Sequence, residues 1–445
     1  MGWRQVRPEG ALLKSSANRL ETPAAGQGEA PFYIPATGGT SRPRLTLKHN
    51  DTFAVFDSHG DIGTTAGTPD GLFDRDTRFL SRLELLINGQ SPLLLGSAIR
   101  DDNLSFYVDL TNADIYAGDR IVLLKDTMHI GRTIYLSDGS LRERIALANH
   151  SAQEIELTLS LAFASDFADI FEVRGIRRKH RGRASSRTLG GGVILSYRGL
   201  DEGLRETAVS FEPAPTMQME GTATYSLRLA PAAKRTIFVT VSSRGLMPRS
   251  TQFFFQGLAA LHRKRRQATR SVAAVETSND VLNEILCRAM ADLRMLITET
   301  EEGPYPYAGI PWYSTTFGRD GLITALQTLW MDPRTAAGVL RRLGRLQAAT
   351  TDAGRDASPG KILHEMRGGE MATLGEIPFG LYYGSIDATP LYVMLAGLYA
   401  RRTGDYAFIG ELWPTIEQAL LWIDAHGDLD GDGFVEYARA TATGL

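Results

Sequence analysis

The chain has 445 residues, 43% of them apolar and 22% charged, with a formal net charge of -3. It is long enough for two or three domains, each with its own core, and too nearly neutral to bind polyanions over its whole surface. Its one cysteine, Cys287, excludes an internal disulfide. Flanked by Leu286, Ala289 and Met290, that cysteine reads as a small core residue in a reducing compartment. No apolar run approaches the ~20 residues that span a bilayer. MGWRQVRPEG has no apolar stretch after its charges, so no secretory signal is read. The expectation is a cytoplasmic protein without a membrane partner.

Residues 1–43 are rich in Gly, Ala, Pro, Ser and Thr with no apolar period, which reads as a disordered tail. Residues 44–250 carry short apolar stretches between turn residues. In EIELTLSLAF, Ile155, Leu157, Leu159 and Leu161 share one face, the alternation of a half-buried antiparallel strand. Asn88-Gly89 is a type I′ hairpin signal. Many short strands without long helices between them predict a β-sandwich. Within it, GLFDRDTRFLS (Gly71–Ser81) alternates charges beside Phe73 and Phe79, which suits a buried ion pair or a contact to the next domain.

Two basic clusters, RGIRRKHRGR from Arg174 and RKRR from Arg263, lack interleaved stacking aromatics. They read as a solvated loop and a solvated linker helix, and nucleic acid is not expected as a partner. Residues 251–275 form that linker.

From 276 to 445 the period becomes helical. NDVLNEILCRAMADLRML places Leu282, Ile285, Leu286, Ala289, Leu293 and Leu296 at three-and-four spacing behind the cap Asn279. Further helices are expected over Leu322–Trp330, Pro333–Ala349, Thr389–Thr403 and Pro414–His426, with a short turn over Tyr406–Leu412 and no strand.

Three stretches of this half could carry chemistry. GPYPYAGIPWYSTTFGRDG sets Trp312 and other aromatic faces beside Arg319 and Asp320 at the mouth of a helix. Flat apolar faces beside fixed polar groups suit a sugar, and a guanidinium with a carboxylate can hold vicinal hydroxyls. Asp320 could equally cap the helix. KILHEMRGG holds His364, Glu365 and Arg367 in a long Gly-rich connection. It lacks the second histidine of a zinc-protease motif. Glu365 could be a general acid or base. In IPFGLYYGSIDATPLYV, Asp387 is either a cap or a ligand facing a cavity. The acidic turn Asp428–Asp432 has the Gly433 of an EF-hand loop but Arg439 at its twelfth position, so a tight Asp- and Gly-rich turn is favoured over a calcium site, and no metal ligand is assigned.

Taken together, GLFDRDTRFLS, PWYSTTFGRDGLITALQ, KILHEMR, YYGSIDATPLYV and DGDGFVEY resemble the bacterial amylo-α-1,6-glucosidases of glycogen-debranching type, over about Leu45 to Leu445. The resemblance implies an N-terminal antiparallel β-sandwich followed by an (α/α) six-hairpin barrel, the toroid of glucoamylase-like hydrolases. It implies hydrolysis, with inversion, of α-1,6 or related α-glucosidic bonds in glycogen-like glucans, and no cofactor. Trp312, Arg319, Asp320, His364, Glu365 and Asp387 match positions lining the sugar pocket. At ordinary helix and loop lengths, the roughly 175 residues from Ser271 to Leu445 hold five or six helices. The full toroid needs about twelve, so the barrel is expected to be incomplete, with helix faces exposed. The catalytic acid and base, about 6.5–9.5 Å apart in an inverting enzyme, are expected downstream of Leu445, with Glu365 a weak candidate. The chain alone is expected to be a poor hydrolase, with an α-glucan as substrate and a complementary C-terminal chain as a conceivable partner. The rival expectation is a non-catalytic glucan-binding or scaffold protein.

Overall fold

A computed structural model describes residues 43–65, 67–117, 119–245, 251–270 and 272–437. The tail read as disordered lies, but for Pro43, outside the described residues. The described elements all belong to the second of two units, Ser41–Leu445.

Strand alternation becomes an antiparallel sandwich. Its larger sheet has eight strands in the order Arg183–Leu189, Gly192–Arg198, Leu204–Glu212, Lys234–Ser242, Ser140–Asn149, Met128–Ser137, Phe106–Thr111 and Leu93–Ile99. A four-stranded sheet runs Met217–Met219, Thr222–Leu229, Ile155–Ala164, Arg82–Ile87, and another runs from Leu45–His49 through Thr52–Phe56 and Gly71–Asp74 to Thr77–Leu80. Ile155, Leu157, Leu159 and Leu161 are all buried in a core that draws on all three sheets. Asn88 and Gly89 take the two positive φ values of a type I′ turn, closed by the Ile87–Gln90 bridge. The hairpin stops there: Arg82–Ile87 pairs with Ile155–Ala164, and the next strand joins the other sheet. The core also holds a polar knot, Arg132 with Asp61 and Glu143, each buried.

Among the described residues the eight α-helices, in chain order, are α1 (Ile170–Val173), α2 (Thr251–Arg270), α3 (Asp280–Leu296), α4 (Gly318–Thr328), α5 (Pro333–Arg345), α6 (Glu370–Thr373), α7 (Ala388–Thr403) and α8 (Tyr406–Trp422). Asp332 caps α5 with Pro333 in its first turn, as read from sequence. Helices α4, α5, α7 and α8 share one core through Leu322, Leu340, Tyr392 and Ile416.

Three local expectations change. Tyr406–Leu412 and Pro414–His426 are one helix running through Pro414, because Phe408, Leu412, Ile416 and Ala419 form a single buried stripe that outweighs the lost amide. The helical half contains two short ribbons, Ile297–Thr300 with Gly303–Pro306 and Glu365–Met366 with Leu381–Tyr382. Cys287 is exposed rather than core. The first turns of α3 present Val281, Leu282 and Ile285 to solvent, so helical spacing there marks an apolar face without a covering element among the described residues.

The two halves are tied together by polar bonds. Lys48 Nζ donates to Thr298 Oγ1 at 2.6 Å, and the Tyr307 hydroxyl donates to Asp51 at 2.7 Å. No helix among the described residues is long and apolar enough to cross a membrane.

Candidate functional site

The site is built where α4 begins. Phe317 stands at the N-cap and makes no side-chain capping bond. The Gly318 amide donates to the His364 carbonyl at 2.8 Å, and a Cβ at position 318 would lie 1.9 Å from the Leu363 carbonyl oxygen. Only glycine lets the helix start pressed against this loop. Arg319 and Asp320, in the first turn, are thereby brought beside His364.

His364 is buried, its ring edge-on to Phe317 at 6.1 Å and to Tyr382 at 6.0 Å. Burial, then the charge of Arg319, lowers its pKa, against the opposing pull of Asp387 and Asp320. The imidazole is therefore held neutral. Arg319 does not pair with its neighbour Asp320; its Nη1 reaches Asp387 Oδ2 at 3.1 Å. Asp387 occupies the N-cap of α7 yet makes no capping bond with its side chain, so it is not spent on the helix. Asp320 is a partly buried first-turn residue, not the cap.

Among the described residues, four buried polar atoms of these loops have no hydrogen-bond partner: Ser314 Oγ, His364 Nδ1, Ser385 Oγ and Asp387 Oδ1. They come from all three motif stretches. Buried polar atoms are rarely left unbonded, and each costs about 1–3 kcal/mol when it is. Ser314 and Ser385 were not singled out from sequence. Their only signal was a small hydroxyl inside a Gly-rich aromatic loop.

Glu365 and Trp312 are positioned by Arg367, which is buried. Its Nε donates to Glu365 at 2.6 Å, its Nη1 to Asp76 at 2.9 Å and its Nη2 to the Trp312 carbonyl at 2.8 Å. Asp76 also accepts from the Gly368 amide at 2.8 Å. The charge alternation of GLFDRDTRFLS is thus an interdomain ion pair. Burial raises the Glu365 pKa, and Arg367 opposes that rise.

The guanidinium over Trp312 is not Arg319 but Arg174, 5.7 Å from the ring and 5.4 Å from that of Phe171. Nor is the rest of RGIRRKHRGR simply solvated. Arg178 makes two 2.7 Å bonds to Glu376 and lies 3.0 Å from Glu370. Glu370 in turn accepts from the Tyr197 hydroxyl and the Leu200 amide. The loop is a clamp between domains, which sequence could not show because its acids lie ~200 residues away in a separate part of the chain.

Apart from this hollow, the carboxylates of Asp428, Asp430, Asp432 and Glu436 place oxygens within 4.8 Å of one another. The Asp428 carboxylate accepts from the Gly431, Asp432 and Gly433 amides, the tight turn read from sequence. Position 439 lies outside the described residues.

The chain thus joins an antiparallel sandwich to a set of helices, with aromatic and charged loops gathered at the helix starts. Residues 47–240 match the family described as the N-terminal domain of (some) glycogen debranching enzymes. Among solved structures, the chain shares the fold of a protein described as a kojibiose phosphorylase from the human microbiome, at a TM-score of 0.54 and 11% identity. That alignment covers 84% of this chain and 56% of the other, so the chain spans little more than half that protein's length. A bacterial glucoamylase complexed with acarbose aligns over 90% of this chain and 74% of its own, at 10% identity and a TM-score of 0.40, too low to define a common fold. None of the curated proteins matches the chain.

Proposed function

We propose that the hollow at the start of α4 binds the terminal glucose of a glycogen-like α-glucan, and that the chain belongs to a glycoside hydrolase acting with inversion on α-1,6 or related α-glucosidic linkages. Trp312 offers a flat face. Arg319, Asp320, His364 and Asp387 hold ring hydroxyls, and Glu365 lies beside them. The observation that carries this reading is the set of unpartnered atoms of Ser314, His364, Ser385 and Asp387 in the three loop stretches, together with the Arg319–Asp387 pair. A hydroxyl can donate to and accept from such a mixed set, whereas a simple cation or anion cannot.

The carboxyls of this hollow are better placed for holding than for proton transfer. Glu365 is bonded to Arg367 and Asp387 to Arg319. An oxygen already gripped by a guanidinium is engaged and not free to meet a leaving-group oxygen, although burial raises the Glu365 pKa. On this reading the acid and base are not drawn from this set, and the chain by itself hydrolyses weakly or not at all.

One preparation tests both halves. Retention on immobilised glycogen is expected, reduced at least about tenfold by Arg319→Ala through loss of a charge-assisted bond. Glucose release from a branched dextrin is expected to fall far below the ordinary enzymatic range of about 1–1000 per second. Loss of retention in the unaltered chain would end the carbohydrate reading. Fast release that disappears in Glu365→Gln would instead make Glu365 the acid.

A further inference from the structure

We propose that the cavity between α2, α3 and the start of α5 is a binding site for a small molecule carrying a phosphoryl group. It encloses about 250 Å3 and shares no lining residue with the hollow at Arg319, so it stands independently of the function proposed above.

The argument begins with the RKRR run. Leu261, Lys264, Arg265 and Ala268 all line the cavity. Their spacing is i, i+3, i+4, i+7, one face of a helix. An inward face at that spacing ordinarily carries apolar residues. On α2 its two central positions are cations, an exposed Lys264 at the rim and a half-buried Arg265, so the run expected to be solvated also sends Arg265 into a cavity wall. Helix α3 adds Arg294 and α5 adds Arg334 to the same wall.

The acids nearby do not balance them. Asp332 is engaged by Arg334 in two 2.8 Å bonds. Asp102 lies 3.3 Å from Arg100 and 3.6 Å from His262, and Glu299 is exposed. Among the described residues, Lys264, Arg265 and Arg294 form no ion pair with an acidic side chain. Arg294 bonds only the neutral Thr269 hydroxyl. The wall is electrostatically frustrated as a result. Burial, then the charge of Arg265, lowers the pKa of Arg294 against the pull of Asp332, and burial lowers that of Arg265 against the pull of Asp102. His49, on the same cavity, is pushed down to about 4 by burial and then by Lys264.

An anion relieves all of these at once. Two guanidiniums with an ammonium between elements suit a phosphoryl group, whose several oxygens accept forked bonds and whose charge exceeds that of a carboxylate. The volume corresponds to about eight waters at about 30 Å3 each, more than the five heavy atoms of phosphate occupy. Leu104, Met290 and Leu293 supply an apolar wall for the rest of the molecule.

The test is calorimetric titration of the full chain with inorganic phosphate, glucose 1-phosphate and adenosine monophosphate, each at the same ionic strength as a sodium chloride control. Saturable binding of at least one of the three, with a Kd below about 1 mM, is expected, and the preferred probe identifies the source of the phosphoryl group. The Arg265→Gln/Arg294→Gln double variant should weaken it at least about tenfold while leaving glycogen retention unchanged. Lys264→Gln, at an exposed position, should weaken it in the same direction. Without ligand the double variant should melt at or above the native temperature, because repulsion is removed. The proposal is overturned if no probe saturates, if chloride matches phosphate, if the variants bind as well as the native chain, or if the unliganded double variant melts lower.

Discussion

Replacing Arg367 by methionine isolates what joins the sandwich to the glucan hollow. Three bonds leave at once: to Glu365 at 2.6 Å, to Asp76 at 2.9 Å and to the Trp312 carbonyl at 2.8 Å. The side chains of Asp76 and Glu365 are only 4% and 8% exposed, so water cannot take the place of the guanidinium. Breaking a buried pair from one side costs about 3–5 kcal/mol, chiefly because a charge is left buried and unpaired. Asp76 keeps its bond from the Gly368 amide, which places the expectation toward the lower end of that range. The loss should depend on pH. Burial already raises Glu365 above its ordinary value of 4.5, and removing Arg367 raises it further. A carboxyl with a raised folded pKa binds its proton more tightly when folded, so its contribution is present below 4.5 and is lost as pH rises through the folded value. The deficit of Arg367→Met should therefore be largest near neutrality and shrink toward about pH 4. Urea unfolding across that range measures it. Adding Glu365→Gln should recover part of the loss near neutrality, because the buried charge is gone. A deficit below about 1 kcal/mol at neutral pH, or one that does not change with pH, would mean the network is solvated and does not join the domains.

Two further outcomes follow from single contacts. Gly318→Ala should destabilise the chain by about 1–3 kcal/mol, since the new Cβ meets the Leu363 carbonyl at 1.9 Å and must push α4 away from His364; a thermal melt together with glycogen retention reads both effects, and an unchanged melt would refute the close approach. Lys48 is held down to about 7 by burial, below its ordinary 10.5. The unfolded chain then binds more protons between those values, so native stability should climb with pH across the window by at most about 1.4 kcal/mol per unit. Lys48→Met should remove that climb in urea titrations between about pH 7 and 9, and a slope that survives the substitution would assign it to other groups.

Much of this protein was legible in one dimension because its determinants are local. Period two in EIELTLSLAF made a strand with Ile155 and Leu161 on one face, and Asn88-Gly89 made the turn after Arg82–Ile87. Asp332-Pro333 started α5. Such signals depend on the nearest few residues, which the chain carries with it. The partners were decided only by folding. Arg319 takes Asp387 and not Asp320, Arg174 rather than Arg319 covers Trp312, and Asp76 reaches across to Arg367. Arg265 of RKRR lines a cavity while Cys287 turns out. Periodicity says which face of an element is apolar or charged, but not what meets that face. Meeting is settled by how sheets and helices close over hundreds of residues, where burial and ion pairing select among many acids and cations the sequence makes locally equivalent.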